Sequence, residues 1–242
     1  MDVIFWWMAA TFLLAGFTQG VSGFGAALVA MPLLTLFLDV QTAVPLYMLH
    51  GIIITGYLSF QLRKHLDWQK IQPLLLGSLP GIVLGIYALK RFDSNNLQVA
   101  MGVFIFLYAL YSLTCRPSPK ELAPHWAYLA GFFTGAIGSA FCAGGPPAVI
   151  YVTLSGWKKD VIKVTLSVFF FITGVLTVTG HALSGLTTIP ILKLFASSVI
   201  FTLAGVWLGS LCYSRIRRET YIKVMLWLLA GMGIVMIAGS YF

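Results

Sequence analysis

Two short segments of this sequence combine glycine with polar side chains that can contact a small ligand. Glycine lets a backbone approach a ligand closely, and amide, hydroxyl and thiol groups offer hydrogen bonds. Serine can also donate to a nearby helix carbonyl, and a buried cysteine is often only a small apolar residue. The predicted substrate contacts are Gln19, Ser22, Gly23 and Gly25 in the first segment, and Ser139, Cys142, Gly144, Gly145 and Pro146 in the second.

Three further polar residues lie inside apolar runs and are predicted substrate contacts. His50 is the only ionisable side chain well inside a run. It can bind a proton or an anion, or it can be a neutral histidine that donates to a carbonyl. Thr55 and Thr173 stand in two matching ITG segments, and they either line a cavity or pack helices. His181 lies near the end of a run, where we expect an interfacial position.

The distribution of charge favours an anion over a cation as ligand. All seven acids fall at termini, turns or the ends of apolar runs. Transport of a cation through a buried carboxylate, and a proton relay of acids, are therefore disfavoured. The interior also lacks Lys and Arg, so an anion has to be held by hydroxyls and by backbone N–H groups at helix N-termini. Three scattered cysteines indicate neither a disulfide framework nor a metal site, and we predict no catalytic residue, metal or cofactor.

The composition places these residues in a lipid bilayer. Of 242 residues, 59% are hydrophobic and 9% are charged, whereas soluble domains carry about a quarter charged residues. Asp2 stands where a secretory signal carries Lys or Arg, so we expect the first run to belong to the mature protein. Single crossings of about 20 residues are predicted at Ala43–Leu62, Ile71–Leu89, Leu97–Cys115, Val161–Ser184, Ile189–Ser214 and Ile222–Tyr241.

Two longer runs, Ile4–Leu38 and Trp126–Gly156, are interrupted by glycine and proline and predict helix, break and helix. If each run enters and leaves on the same face, 12 of the 15 Lys and Arg residues share one side, and Lys90, Arg91 and Lys193 lie on the other. If each run crosses once, the division is 9 against 6. Because cytoplasmic ends are rich in Lys and Arg, the count predicts two hairpins with both termini outside.

The two halves of the chain match one another. Ala15–Pro32 aligns with Ala130–Pro147 without a gap. The two segments share three glycines and one proline at matching positions. We therefore predict a single all-α polytopic membrane domain over residues 1–242. It has a first repeat at about 1–115, a linker at about 116–125 and a second repeat at about 126–242. Each repeat is a Gly/Pro-broken helical hairpin plus three transmembrane helices, and the odd number of crossings makes the repeats inverted.

The hairpins are expected to place their breaks near the middle of the membrane. Arms of about 14 to 17 residues are slightly shorter than the hydrocarbon thickness at about 1.5 Å per residue. If the second arms begin near Gly25 and Pro146, both helix N-termini point at the centre from opposite sides. Small residues spaced by four, such as Gly16 and Gly20, can instead serve only close helix packing.

The segments GFTQGVSGFGAALVAMPLL and GFFTGAIGSAFCAGGPPAVIYV resemble the two glycine-rich, proline-ended motifs of the TauE/SafE family of membrane permeases. The resemblance covers essentially the whole chain in length and segment order. It departs from the family pattern at Ala26, Ala27, Ser139 and Ala140, which affects the substrate more than the fold. The resemblance implies export of small sulfur-containing anions, such as sulfite, sulfonates or thiosulfate, across a bacterial inner membrane.

Four functional hypotheses follow. The first is a secondary transporter that exports a small anion held between the hairpin tips, since each negative charge leaving the cell gains about 2.3 kcal/mol per 100 mV. Proton-coupled uptake of the anion and a passive anion channel are alternatives. A membrane-embedded thiol enzyme with Cys142 as nucleophile and His50 as base is a remote one, because no acid is present to orient the histidine. The expected partners are a small anion and the lipid bilayer, without nucleic acid.

Overall fold

The computed structural model describes residues 3–22, 25–63, 66–114, 122–123, 125–157 and 159–212, together with 227, 230–231 and 233–237. This part of the chain is helical and contains no β-strand. Its helices, in chain order, are α1 (Val3–Ser22), α2 (Ala26–Leu34), α3 (Val40–Leu62), α4 (Trp68–Arg91), α5 (Ser94–Thr114), α6 (His125–Phe141), α7 (Gly145–Leu154), α8 (Lys159–Leu183) and α9 (Ile189–Cys212).

Six of the helices in the described ranges, α1, α3, α4, α5, α8 and α9, are long and apolar enough to cross a membrane. Five of them correspond to predicted single crossings, and their ends lie within three residues of the predicted ends. The all-helical membrane architecture is therefore confirmed. The sixth predicted crossing, Ile222–Tyr241, lies largely outside the described residues, as does most of the predicted linker. The described residues 233–237 are helical, and the Met236 carbonyl accepts a hydrogen bond from Gln98 on α5.

Both interrupted runs form two helices separated by a short break. Gly25 precedes α2 with φ of 91°, in the left-handed region that glycine adopts without a steric penalty. In the second run, Cys142 follows α6 with φ of 58°. The arms are unequal, with 20 and 9 residues in the first run and 17 and 10 in the second. The expectation of arms of about 14 to 17 residues is met by α6 but is wrong for the other three, because α1 is longer and α2 and α7 are shorter.

Contacts near the ends of each run show that the chain turns back at its break. The indole Nε1 of Trp7 donates to the Leu33 carbonyl at 2.9 Å, which joins the beginning of α1 to the end of α2. After α7, the ring of Trp157 lies 5.3 Å from Lys70 Nζ at the beginning of α4. The beginning of α6 lies beside the first half of α4, since Tyr128 touches Gly77. Each run therefore has both of its ends on one side of the bundle.

Each hairpin packs against a helix from the other half of the chain. α6 runs parallel to α4, and the alternating contacts use glycine on both helices. In the same way α1 runs parallel to α9, where Gly16 and Gly20 meet Gly205 and Gly209. At such positions a Cβ atom would overlap a backbone carbonyl of the partner helix. The first arm of each hairpin is thus held against a crossing helix from the other half of the sequence.

The close approach of α4 and α6 predicts a cost for adding one methyl group. In Gly81→Ala, the new Cβ would collide with the Phe132 carbonyl and lie 2.8 Å from the Ala136 nitrogen. Overpacking of this kind costs about 1–3 kcal/mol. We expect a lower unfolding midpoint for the purified protein in detergent. Gly231→Ala is the control, because no described atom lies within 4 Å of its added Cβ; equal midpoints for both variants would contradict the packing.

Candidate functional site

A cavity lies between the two breaks and is closed laterally by α3, α4 and α8. Its volume is about 90 Å³, which is room for roughly six water molecules at about 15 Å³ of accessible space each. A small oxyanion of four or five heavy atoms fits this space. The lining residues are Gln19, Gly25, Ala27, Leu28, Tyr47, Met48, Gly51, Thr55, Ile82, Thr134, Gly135, Gly138, Ser139, Cys142, Ala143, Gly144, Gly145, Phe170, Thr173, Gly174 and Thr177.

Most of the predicted contact residues are brought together at this cavity, although they come from both halves of the chain. Pro146 is buried in the first turn of α7 and does not line the cavity. Gly23 and the side chain of Ser22 lie outside the described residues. The predicted residues that line the cavity are Gln19, Gly25, Thr55, Ser139, Cys142, Gly144, Gly145 and Thr173.

His50 lies away from the cavity, in a packed junction of α1, α3 and α9. Its ring stacks on Phe12 with centroids 3.5 Å apart, and the side chain is fully buried. Ser198 donates its hydroxyl to the Leu194 carbonyl at 2.6 Å and so accepts from Nε2–H of His50 at 3.1 Å. Thr202 then donates to Nδ1 at 2.6 Å. Of the two roles open to His50 in the sequence, this geometry is that of a neutral, fully hydrogen-bonded histidine.

The first break presents hydrogen-bond donors to the cavity. The Gln19 carboxamide accepts from the Ala26 N–H at 3.1 Å. Since the Ala26 N–H can only donate to an oxygen, this bond fixes which end of the Gln19 carboxamide faces α2. The Nε2 atom, with its two N–H groups, is then available to donate into the cavity. The next two residues, Ala27 and Leu28, also line the cavity. Their N–H groups belong to the first turn of α2, where no intrahelical acceptor exists.

The second break is built on the same plan. The Thr134 hydroxyl oxygen accepts from the Ala148 N–H at 3.1 Å, which leaves the hydroxyl hydrogen free to donate. Pro146 and Pro147 have no N–H, so Gly145 supplies the remaining free backbone donor of this turn.

Thr134 is a site residue that the sequence analysis missed. In the gapless match of the two halves it stands opposite Gln19, and that correspondence was the available signal. Both side chains satisfy one N–H of the second arm and keep a donor for the cavity. The sequence match is gapless through the break, but the helix ends differ, because α6 extends to Phe141, one turn beyond the position that aligns with the end of α1. The other missed residues lie on α3, α4 and α8, whose approach to the breaks is a tertiary feature.

Three predicted hydroxyls on the cavity wall already donate to main-chain carbonyls. Thr55 donates to Gly51 at 2.7 Å, and Thr173 donates to Phe169 at 2.9 Å. Ser139 donates within α6 and lies 3.1 Å from a carbonyl of α4. These groups present lone pairs unless they rotate, so the hydroxyls on the wall that remain able to donate are those of Thr134, Tyr47 and Thr177, beside the amides. The residues that line the cavity include no Lys, Arg, His, Asp or Glu.

The second break lies beyond the middle of its neighbouring helices. Cys142 Sγ is 3.5 Å from the carbonyl of Val44, five residues into α3. Ser139 touches Gly85, which is close to the end of α4. We expected both breaks to stop near the centre of the bundle. The 17-residue α6, which follows α4 in parallel, instead carries its break farther.

His181 is also placed differently from the expectation. A position near the end of an apolar run suggested an interfacial side chain, but the residue is fully buried. Its Nε2 lies 3.1 Å from the Ser139 carbonyl. No local sequence pattern predicts this contact, which joins α8 to the end of α6.

Comparison with known proteins gives two matches. The family model described as sulfite exporter TauE/SafE matches residues 8–236. A relative from Bacillus subtilis (strain 168), described as probable membrane transporter protein YunE, is 27% identical over an alignment of 251 positions, which covers 88% of this chain and 88% of the relative. No solved structure matches this sequence.

The left-handed backbone at Cys142 limits which residues can replace it without loss of stability. Cys142→Gly fits φ of 58° without a Cβ penalty, whereas Cys142→Val places a β-branched residue in a region it avoids. We expect Val to lower the stability by about 1–3 kcal/mol relative to Gly, measured as unfolding midpoints in detergent. Cys212→Val, at the end of α9, is the control and stays near the wild-type midpoint; a Cys142→Val protein as stable as Cys142→Gly would refute this assignment.

Proposed function

The chain belongs to the TauE/SafE family of sulfite exporter-type membrane transporters, and on this premise we propose that it exports small sulfur-containing oxyanions of the sulfite, sulfonate or thiosulfate class. The family is one of transporters and not of enzymes. The anion is held in the cavity between the two hairpin breaks. The protein acts as a secondary transporter in the bacterial inner membrane with both termini outside.

The observation that carries this proposal is a cavity whose wall has hydrogen-bond donors and no charged side chain. A buried anion needs several donors, since losing water without replacement costs far more than one hydrogen bond returns. Hydrogen bonds to a charged group contribute about 1.5–3 kcal/mol each. The carboxamide of Gln19, the first-turn N–H groups of α2, the Gly145 N–H and the Thr134 hydroxyl are the proposed donors.

The absence of a fixed positive charge suits release as well as binding. A neutral wall binds an anion through partial charges only, so the anion can leave when one side opens. A divalent or monovalent anion moving out of a negative interior gains about 2.3 kcal/mol per charge per 100 mV. Export then needs no ATP.

The packing of each hairpin against the other repeat supports alternating access between two inverted repeats. Each hairpin is fixed to a crossing helix of the other repeat through glycine contacts, α1 to α9 and α6 to α4. Two such units can rock against each other about the cavity between them, as in other transporters built from repeats. We therefore propose that each packed pair of helices, α1 with α9 and α6 with α4, moves as one rigid body.

The thiol-enzyme hypothesis has no geometric support. The ring nitrogens of His50 are engaged by Ser198 and Thr202. The Cys142 thiol points to the Val44 carbonyl. A nucleophile needs its base within hydrogen-bonding distance, and this pair does not meet that condition.

The function is tested by anion flux into and out of proteoliposomes that contain the purified protein. Sulfite, thiosulfate, sulfate and methanesulfonate are compared at a fixed membrane potential. We expect saturable flux of at least one sulfur oxyanion, faster when the potential drives anions outward. Unitary currents would identify a channel instead, and the lack of flux for all four anions would refute the proposal.

Removing a donor from either break is expected to weaken transport. Gln19→Leu deletes the carboxamide and Thr134→Val deletes the hydroxyl, each with little change of volume. We expect a loss of at least about tenfold in flux at subsaturating anion, since one charge-assisted hydrogen bond is worth about 1.5–3 kcal/mol. Ser197→Ala removes an exposed hydroxyl on α9 that donates to its own helix and serves as the matched control. Wild-type flux in both donor variants would exclude these residues from the site.

A further inference from the structure

His181 on α8 is a buried histidine with one ring nitrogen engaged and the other without a partner in the described ranges. Nε2 is 3.1 Å from the Ser139 carbonyl oxygen, so this nitrogen carries the hydrogen and donates it. Nδ1 is buried and has no hydrogen-bond partner among the described residues. A buried ring nitrogen normally finds a donor or a water molecule. The imidazole therefore holds a free lone pair inside the protein.

The position of His181 is directly behind the cavity wall. It follows Thr177 by four residues on α8, which places both side chains on the same face of the helix. Thr177 lines the cavity, and so does Ser139, whose carbonyl binds the ring. A charge on His181 would therefore be next to two residues of the cavity wall.

The two buried histidines on α3 and α8 differ in whether a ring nitrogen is free to bind a second proton. Both ring nitrogens of His50 are engaged by hydroxyls of α9, so a second proton on that ring would displace an existing hydrogen bond. A second proton on His181 goes to a nitrogen with no bond to lose. The Nε2–H bond to Ser139 is kept in both protonation states.

We propose that His181 binds a proton together with the anion, so that the transported anion and a proton occupy the protein at the same time. This inference rests on the proposed function, because it assigns a second solute to the same site. Protonation at Nδ1 converts the ring to imidazolium and places one positive charge behind a neutral wall. The anion and the imidazolium then stabilise each other, and each raises the affinity for the other by the same factor.

Among the described residues, the charged side chains nearest to His181 are exposed and outside the cavity wall. From α4, Lys90 donates to the carbonyl of Ser184, beyond the end of α8, and is exposed. The carboxylates of Asp39 and Asp93 are exposed in the turns before α3 and α5. The other titratable side chains on the described helices around α8 are Tyr47, His50 and Tyr57 on α3, Lys70, Tyr87 and Arg91 on α4, His125 and Tyr128 on α6, Tyr151 on α7, and Lys193 and Cys212 on α9, with Cys142 following α6.

The test is calorimetric binding of thiosulfate and methanesulfonate to the full-length protein in nanodiscs, in buffers of different ionisation enthalpy. Neither anion changes its charge between about pH 5 and pH 8, the range in which histidine titrates. We expect uptake of about one proton per anion bound above the pKa of the free ring. The affinity should then weaken by up to about tenfold for each unit of rising pH.

Two substitutions separate the proton site from structural effects. His181→Gln keeps an N–H donor for the Ser139 carbonyl but cannot bind the second proton. We expect it to bind anions with a pH-independent affinity and no proton uptake. His50→Gln is the matched control at the other buried histidine, and it should retain the wild-type pH dependence. Should His181→Gln fail to fold, ¹⁵N spectra of the labelled wild-type protein are expected to show protonation of His181 Nδ1 on addition of anion.

Anion binding by the wild type without proton uptake would overturn the inference, as would an unchanged His181 spectrum. Wild-type pH dependence in His181→Gln would also overturn it. In these cases flux of the anion persists and the proposed function stands. If the wild-type protein neither binds nor transports any sulfur oxyanion, the proposed function and the inference both fail.

Discussion

A helix that is interrupted inside a bilayer exposes backbone N–H groups that no water can reach, and the protein must satisfy or use them. This requirement governs the centre of the molecule. One side chain in each first arm, Gln19 or Thr134, accepts an N–H from the second arm. Each of them keeps a donor of its own. The same residues that make the breaks tolerable therefore also equip the cavity to hold an anion.

The breaks stay in place because the arms that lead to them are anchored outside their own hairpins. α1 packs along α9 and α6 packs along α4, at distances that only glycine permits on both helices. The contacts involve main-chain atoms and leave little freedom for sliding. Between these two anchored pairs, the cavity is closed by α3 and α8. An arrangement of this kind joins each break mechanically to helices from the other half of the chain.

The described carboxylates lie outside the interior of the bundle, so a ligand in the cavity is bound by partial charges only. The described carboxylates Asp39, Asp67 and Asp93 lie between helices, and the Lys70 hydrogen bond holds the pKa of Asp67 below its usual value. The cavity wall has no charged member. The two buried histidines are embedded differently, since His50 is fully bonded and His181 is bonded on one side. Inside a low-dielectric protein, a single protonation has a large effect on what the cavity attracts.

The sequence by itself determined the membrane class, the helical architecture, the positions of five crossings to within three residues and the two places where helices break. These features follow from local composition, since apolar length predicts a span and glycine with proline predicts an interruption. The match between halves also aligned Gln19 with Thr134, although its meaning became visible only with the Ala26 and Ala148 contacts.

The tertiary structure alone decided which polar residues share the cavity. His50 and His181 are both histidines within long apolar helices, and their positions along those helices favoured His50, which lies well inside its run, over His181 near the end of its run. Helix packing places one against hydroxyls of α9 and the other against a carbonyl at the end of α6. Arm length was decided in the same way, because α6 continues past the aligned break where α4 supports it. Contacts between residues distant in sequence depend on how whole helices fit together, and local patterns do not encode that fit.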